Sequence, residues 1–335
     1  MQVAYVFGPD DLRMAEVPAP SAGPRDVVLR IATVGICGSD LALIAAGGPL
    51  VLAAEPFPLG HELSGTVVER GAEVSSVAIG DRVVLNPLIN SVGIGSTEGG
   101  FGELLLVRDV VTDPGSLLPL PASVSFDAGA LVEPLAVSVH GVNQLGAGPG
   151  DKVAVYGAGP IGLAAVVALR HRGVEDIAVF ELSELRRNRA KALGATTAVD
   201  PRLTPPAEAL KALHGSVPSQ WGELPATTHY MEASGAPIIP EIVGYAAPGA
   251  RLCVISHQKK PVPVDFTLFQ MKELQIVGAL GYPRELSDVL DMLAQNEIDP
   301  EQMITHRFHS ANILEAFDIA HQSDNAAKVL VQFGG

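Results

Sequence analysis

Between Lys152 and Glu181 the chain reads KVAVYGAGPIGLAAVVALRHRGVEDIAVFE, and no other stretch limits the possible folds as strongly. KVAVY is a short β-branched run of the kind buried in parallel sheets. GAGPIG follows, with Gly157, Gly159 and Gly162 in G-x-G-x-x-G register. An Ala-rich apolar segment then predicts a helix ending near Gly173, and IAVFE predicts a second strand. Strand, glycine turn, helix, strand and terminal acid make one βαβ unit of a doubly wound α/β sheet. Gly157 permits the tight turn, Gly159 lets backbone approach a pyrophosphate, and Gly162 lets the helix lie on the strand. Pro160 and Ile161 complete the turn into the helix, whose free N–H groups form an anion site. Glu181, about twenty residues after the glycines, falls where a carboxylate takes both ribose hydroxyls of a dinucleotide.

The flanking sequence divides around this unit. Residues 26–36, 62–71, 81–87 and 103–109 are β-branched or alternating runs punctuated by Gly, Pro and Asp, as in a mostly antiparallel, partly barrel-like domain. A helix is expected to start after Asp40, and the pattern turns helical again near Ser125. Strand candidates at 152–156, 176–180, 196–199, 227–231, 250–255 and 273–278 alternate with helices, the arrangement of two mononucleotide-binding halves. Residues 201–225 read as a loop with one short helix. A helix (283–294), a strand (305–308), a helix (310–322) and the strand AKVLVQF follow, and this tail is expected to return to the first domain. The expected division is 1–135, 136–278 and 279–335.

Composition removes several function classes. A net charge of −15 over 335 residues argues against a nucleic-acid partner, which demands a basic face. The longest uncharged run, 153–169, is broken by Gly-Ala-Gly-Pro and too short to span a membrane. Two distant cysteines, Cys37 and Cys253, make no secreted disulfide framework. The first residues alternate like a strand and lack the plan of a signal peptide, so a cytoplasmic location is expected.

A second constellation lies upstream. Cys37 sits in GICGSD after a strand, and His61 and Glu62 sit in LGHEL at the start of another. Thiolate and imidazole are ligands zinc prefers, and a carboxylate can complete the set. Alternation puts His61 and Glu62 on opposite faces of a regular strand, so Glu62 competes with Glu133 of LVEPLAV for the remaining position. Cys253, His140, His306 and His309 read as packing or surface residues.

In order and spacing, GICGSD, LGHE, GDRV, GGFGE, EPLAV and GAGPIG resemble the medium-chain zinc-dependent alcohol dehydrogenases over nearly the whole chain. EPLAV points to the branch with sorbitol, butanediol and threonine dehydrogenases. The resemblance implies a GroES-like catalytic domain, a six-stranded Rossmann sheet, and hydride exchange between a secondary alcohol or its ketone and NAD. It implies one catalytic zinc on Cys37, His61 and either Glu62 or Glu133, with Asp40 behind the ligands and a homo-oligomer, dimer or tetramer. Ser39 matches the hydroxyl that passes the alcohol proton outward; its alternative role is helix N-cap. Arg186 matches a basic residue beside the adenosine, and Glu232 in MEASG is a family element near the cofactor with no chemistry assigned. Glu181 would repel the 2′-phosphate of NADP, although Arg186 and Arg187 could offset that charge. Other readings are a threonine-type or polyol dehydrogenase, a metal-free quinone or enoyl reductase, and a nucleotide sensor without turnover.

Three departures from the family matter. NPLINSVGIGSTEGGFGE stands where most members carry a four-cysteine lobe, so a structural zinc is not expected and the usual oligomer is in question. Ala42 replaces the His that often extends the proton relay. Gly281-Tyr282 stands in place of an Arg-Tyr pair that reaches substrate hydroxyls in sorbitol-type members. With the apolar segment 41–57, this favours less polar secondary alcohols or ketones over polyols.

Overall fold

The computed structural model describes residues 1–48, 56–258, 260–295 and 297–334. The chain starts with the hairpin β1 (Gln2–Gly8) and β2 (Asp11–Glu16), then runs through β3 (Val27–Gly35) into α1 (Gly38–Ala46). Next come β4 (Phe57–Pro58), β5 (Glu62–Arg70), β6 (Arg82–Leu85), the one-turn helix α2 (Pro87–Asn90), β7 (Leu104–Val107) and β8 (Leu117–Pro119). β3, β5, β6 and β8 pair antiparallel in that order, with β7 also on β3. Leu29, Ile31, Leu63, Val83 and Leu105 are buried in one apolar core beneath these strands. Nearly continuous burial along β3 and the first half of β5 is why their β-branched runs read as strands.

Helices α3 (Phe126–Ala130) and α4 (Val132–Leu145) lead to the second body. There β9 (Lys152–Tyr156), α5 (Pro160–His171), β10 (Asp176–Phe180), α6 (Glu184–Ala192) and β11 (Thr197–Val199) form the first half. The second half contains α7 (Pro206–His214), the hairpin β12 (Ser216–Ser219) and β13 (Gly222–Pro225), and β14 (His229–Glu232). It ends with α8 (Ile239–Tyr245), β15 (Arg251–Val254), α9 (Phe266–Met271) and β16 (Gln275–Gly278). The six strands are parallel and ordered β11-β10-β9-β14-β15-β16. This is the doubly wound order, and its direction reverses between β9 and β14, opening a crevice at their C-terminal ends. The segment 201–225 is more ordered than a loop with one short helix: it holds α7 and the β12–β13 hairpin. β12 is buried at no residue and β13 only at its last two, and Pro218, Gly222 and Pro225 interrupt both strands, so the strand signal is weak there.

After β16 the chain crosses back in α10 (Glu285–Gln295), β17 (Ile304–His309), α11 (Ile313–Ala320) and β18 (Lys328–Gln332). α10 lies against α4, where His140 Nδ1 meets Glu285 Oε1 at 2.8 Å, a polar contact rather than simple packing. β18 pairs parallel with β17 and antiparallel with β3, placing the tail in the first sheet. No helix among the described residues is long and apolar enough to cross a membrane.

One carboxylate ties this return together. Asp127 accepts from Thr33 Oγ1 (2.9 Å), Arg307 Nε (2.6 Å) and Gln332 Nε2 (3.0 Å). Partial burial pulls its pKa up, but the hydrogen bonds, Arg307's first, hold it below the ordinary carboxylate value. A depressed folded-state pKa contributes stability above the unfolded value near 4, lost as pH falls through the folded value. Asp127→Asn is expected to cost about 1–2 kcal/mol at pH 7, with the exposed Arg307 discounted for screening. The gap in urea midpoints between the two proteins should shrink as pH falls below about 4; a gap that stays constant there would contradict this role.

Candidate active site

The crevice between β9 and β14 opens into a cleft of about 520 Å³. The glycine turn forms one wall. Gly157 has φ of 90°, and a Cβ there would lie 2.9 Å from Ser234. A Cβ on Gly162 would collide with the Gly157 carbonyl oxygen, so α5 can lie on the turn only without one. Gly159 caps α5 and lines the cleft, with Pro160 and Ile161 as the first helical residues. Ala233 and Ser234, just past β14, form the facing wall.

Glu181, just past β10, also lines the cleft. Its Oε2 accepts from the Ala158 N–H (2.7 Å) and its Oε1 from the Ser183 N–H (2.9 Å). Arg186 lines it too and donates from Nε to the Ala326 carbonyl (2.7 Å). Arg187 is committed elsewhere, its Nη1 donating to the carbonyls of Glu181 (2.8 Å) and Leu182 (2.6 Å). Among the described residues Glu181, Glu241 and Asp324 line the cleft against the single cation Arg186.

The second constellation forms where α1 begins and β5 starts. Cys37, with extended φ and ψ of −97° and 154°, is the N-cap of α1. Its Sγ accepts from the Ser39 N–H (3.5 Å), and Asp40 Oδ2 accepts from the Cys37 N–H (2.9 Å), a capping box. The helix therefore starts at Gly38, not after Asp40, and the cap is Cys37, not Ser39. Ser39 is exposed, with Oγ 3.4 Å from His61 Nε2.

His61 precedes β5, whose first residue is Glu62. Strand alternation does not govern the residue before a strand, so the expected separation of His61 from Glu62 fails. A ring nitrogen of His61, a carboxylate oxygen of Glu62 and Cys37 Sγ all lie within 4.8 Å of one another. Glu133, in the first turn of α4, stands outside this tight trio but feels the charges of His61 and Glu62. Burial pushes its carboxyl up to about 7. Tyr282, 2% exposed, places its hydroxyl beside Glu133 without a well-formed hydrogen bond.

The trio fits zinc. Asp40 Oδ1 and His61 Nδ1 are buried, lack hydrogen-bond partners and stand 3.5 Å apart. A carboxylate behind the free nitrogen is how a metal-ligating imidazole is oriented. Burial pushes the Cys37 thiol up. Burial alone would lower the pKa of the His61 ring, but the Asp40 carboxylate outweighs it and holds the ring well above its ordinary value. Sulfur, nitrogen and carboxylate oxygen are the donors of catalytic zinc sites. Lys328 on β18 went unnoticed in the sequence. It is fully buried, pairs with Glu62 Oε2 and donates to the Ile36 carbonyl (2.9 Å). Its signal is a lysine directly before the buried apolar run Val329–Val331.

The remaining candidates have structural surroundings. Cys253 is fully buried on β15, the His306 ring stacks on Phe308, and His309 accepts from the Ala311 N–H (3.2 Å). In the apolar segment 41–57, residues 49–55 lie outside the described residues.

A doubly wound sheet with a dinucleotide-sized cleft, joined to a β domain carrying a zinc-type donor trio, defines a two-domain nucleotide-linked oxidoreductase. Residues 23–122 match the alcohol dehydrogenase GroES-like domain, and residues 160–295 match the zinc-binding dehydrogenase domain. The chain is 33% identical to a D-xylulose reductase of Scheffersomyces stipitis, with 96% of each chain covered. It is 32% identical to sorbitol dehydrogenase of Bos taurus, covering 93% of this chain and 91% of that one. Its structure is similar to that of 2R,3R-butanediol dehydrogenase from Bacillus subtilis, with a TM-score of 0.87 and 28% identity over 99% of each chain. The chain belongs to the medium-chain zinc-dependent alcohol dehydrogenase family.

Proposed function

We propose that this enzyme exchanges a hydride between a secondary alcohol, or its ketone, and NAD at one zinc held by Cys37, His61 and a carboxylate. Glu62 is the closer carboxylate, and Glu133 is the alternative. The convergence of Cys37, His61 and Glu62 within 4.8 Å carries this reading. Zinc bound there would supply Lewis-acid polarisation of the substrate oxygen, and NAD would supply the hydride acceptor. The protein's own groups do the rest. Asp40 orients the His61 ring. Lys328 holds the Glu62 carboxylate in place. Ser39 Oγ, exposed and 3.4 Å from His61 Nε2, passes the substrate proton toward solvent. Ala42 offers no further relay, so water or a cofactor ribose hydroxyl continues it.

The acid balance of the cleft supports NAD over NADP. Glu181, Glu241 and Asp324 line it, and Arg187 is occupied by main-chain carbonyls. A preference for NAD of about tenfold or more in kcat/KM is expected, the effect of roughly 1.4 kcal/mol.

The relatives' names point to polyols and a diol, but Gly281 precedes Tyr282 where an arginine would serve polyol hydroxyls. A substrate screen tests the preference. A simple vicinal diol or an aryl-alkyl carbinol should show higher kcat/KM than sorbitol or xylitol. A sugar alcohol favoured by a wide margin would contradict it.

A further inference from the structure

Glu232 ends β14 and is fully buried, yet it forms no ion pair with a basic side chain among the described residues. Donors from two loops hold its carboxylate instead. Oε1 accepts from the Ser234 N–H (2.7 Å), Ser234 Oγ (2.5 Å) and the Gly235 N–H (2.9 Å). Oε2 accepts from Ser256 Oγ and from Gln258 Nε2 (2.6 Å). The first loop follows β14 and the second follows β15. Hydrogen bonds to a carboxylate are about twice as strong as neutral ones, so this group grips what it touches.

What it grips is one wall of the cleft. Ser234 lines the cleft opposite Gly157, and the Ala233 N–H donates to the Tyr156 carbonyl (2.9 Å). A Cβ on Gly157 would lie 2.9 Å from Ser234, so wall and glycine turn are already in close contact. Any shift of Ser234 alters the width of the crevice at the topological switch point. We propose that Glu232 is a positioning residue for the dinucleotide, a buried clasp that sets the loops after β14 and β15 before the cofactor enters. It acts through Ser234 rather than by touching the ligand, and a preordered wall spares the ordering cost of binding. This rests on the dinucleotide reading of the cleft.

Titration of the zinc-loaded full chain with NADH, followed by nicotinamide fluorescence, tests it. Glu232→Ala orphans two backbone N–H groups and is expected to raise the NADH Kd about tenfold to a hundredfold. Its KM for NAD should rise more than its kcat falls. Glu232→Gln keeps one oxygen for the Ser234 and Gly235 donors, while Ser256 and Gln258 can turn to accept from its amide; its Kd should stay within about threefold. Val174→Ala is the stability control: Val174 is fully buried just before β10, at the sheet end away from the cleft. It should lower Tm and leave NADH affinity unchanged.

A folded Glu232→Ala protein with wild-type NADH affinity overturns the proposal. So does a loss of affinity that merely tracks Tm in both Glu232→Ala and Val174→Ala. Should Glu232→Ala not fold, the double variant Ser256→Ala/Gln258→Ala removes only side-chain donors to Glu232 that do not line the cleft; a raised Kd supports the clasp and an unchanged one overturns it. Failure of the wild type itself to bind NADH or NADPH overturns the clasp together with the cofactor reading, and is distinguishable because no variant is involved.

Discussion

Cys37→Ser is expected to lower kcat/KM by about a thousandfold or more while leaving the fold intact. A hydroxyl is a harder, weaker zinc ligand than a thiolate, so the metal is lost. The Lewis-acid contribution is several kcal/mol, and about 4 kcal/mol corresponds to a thousandfold in rate. The fold survives because the structural work of Cys37 is to cap α1 by accepting from the Ser39 N–H, which serine does at least as well. Steady-state kinetics beside a thermal melt of the metal-free proteins would separate the two effects. Wild-type turnover in a folded Cys37→Ser protein would remove the cysteine from the chemistry.

The second large effect is on stability. Lys328→Met is expected to destabilise the metal-free protein by about 3–5 kcal/mol, because it strands the Glu62 carboxylate without its cation. Lys328 is 0% and Glu62 1% exposed, so solvent cannot take over that role. The ammonium also donates to the Ile36 carbonyl, one residue before the capping cysteine, linking β18 to the start of the site. The double variant Lys328→Met/Glu62→Gln should recover much of the loss, since no net charge is then left buried. Urea unfolding in the presence of a chelator measures all three. A loss below about 1 kcal/mol for Lys328→Met would mean the pair is hydrated or relaxed in solution.

The parts of the molecule written in local patterns were legible before the structure. The β9–α5–β10 unit combines buried β-branched runs, three glycines at fixed offsets and a terminal acid, all within thirty residues. Features set by exceptions to local rules were not. Cysteine is an uncommon helix cap, so Ser39 looked the better candidate, and the helix was expected to begin too late. His61 lies one residue before β5, outside the reach of strand alternation, so it and Glu62 converge where alternation alone would oppose them. The β12–β13 hairpin buries only Leu224 and Pro225, and its short strands carry proline and glycine, which weakens the strand signal. The Lys328–Glu62 pair joins positions 266 residues apart, and only the closure of β18 onto β3 brings them together. Glu232 reads in the sequence only as a family element with no chemistry, because two of its partners, Ser256 and Gln258, lie more than twenty residues downstream.

The central claim is that Cys37, His61 and a neighbouring carboxylate hold a metal. Elemental analysis of the purified protein tests it most directly. The account predicts about one zinc per chain, retained through dialysis and absent from Cys37→Ser. No zinc in the wild-type protein, even after reconstitution, would contradict it and leave a metal-free reductase on the same fold.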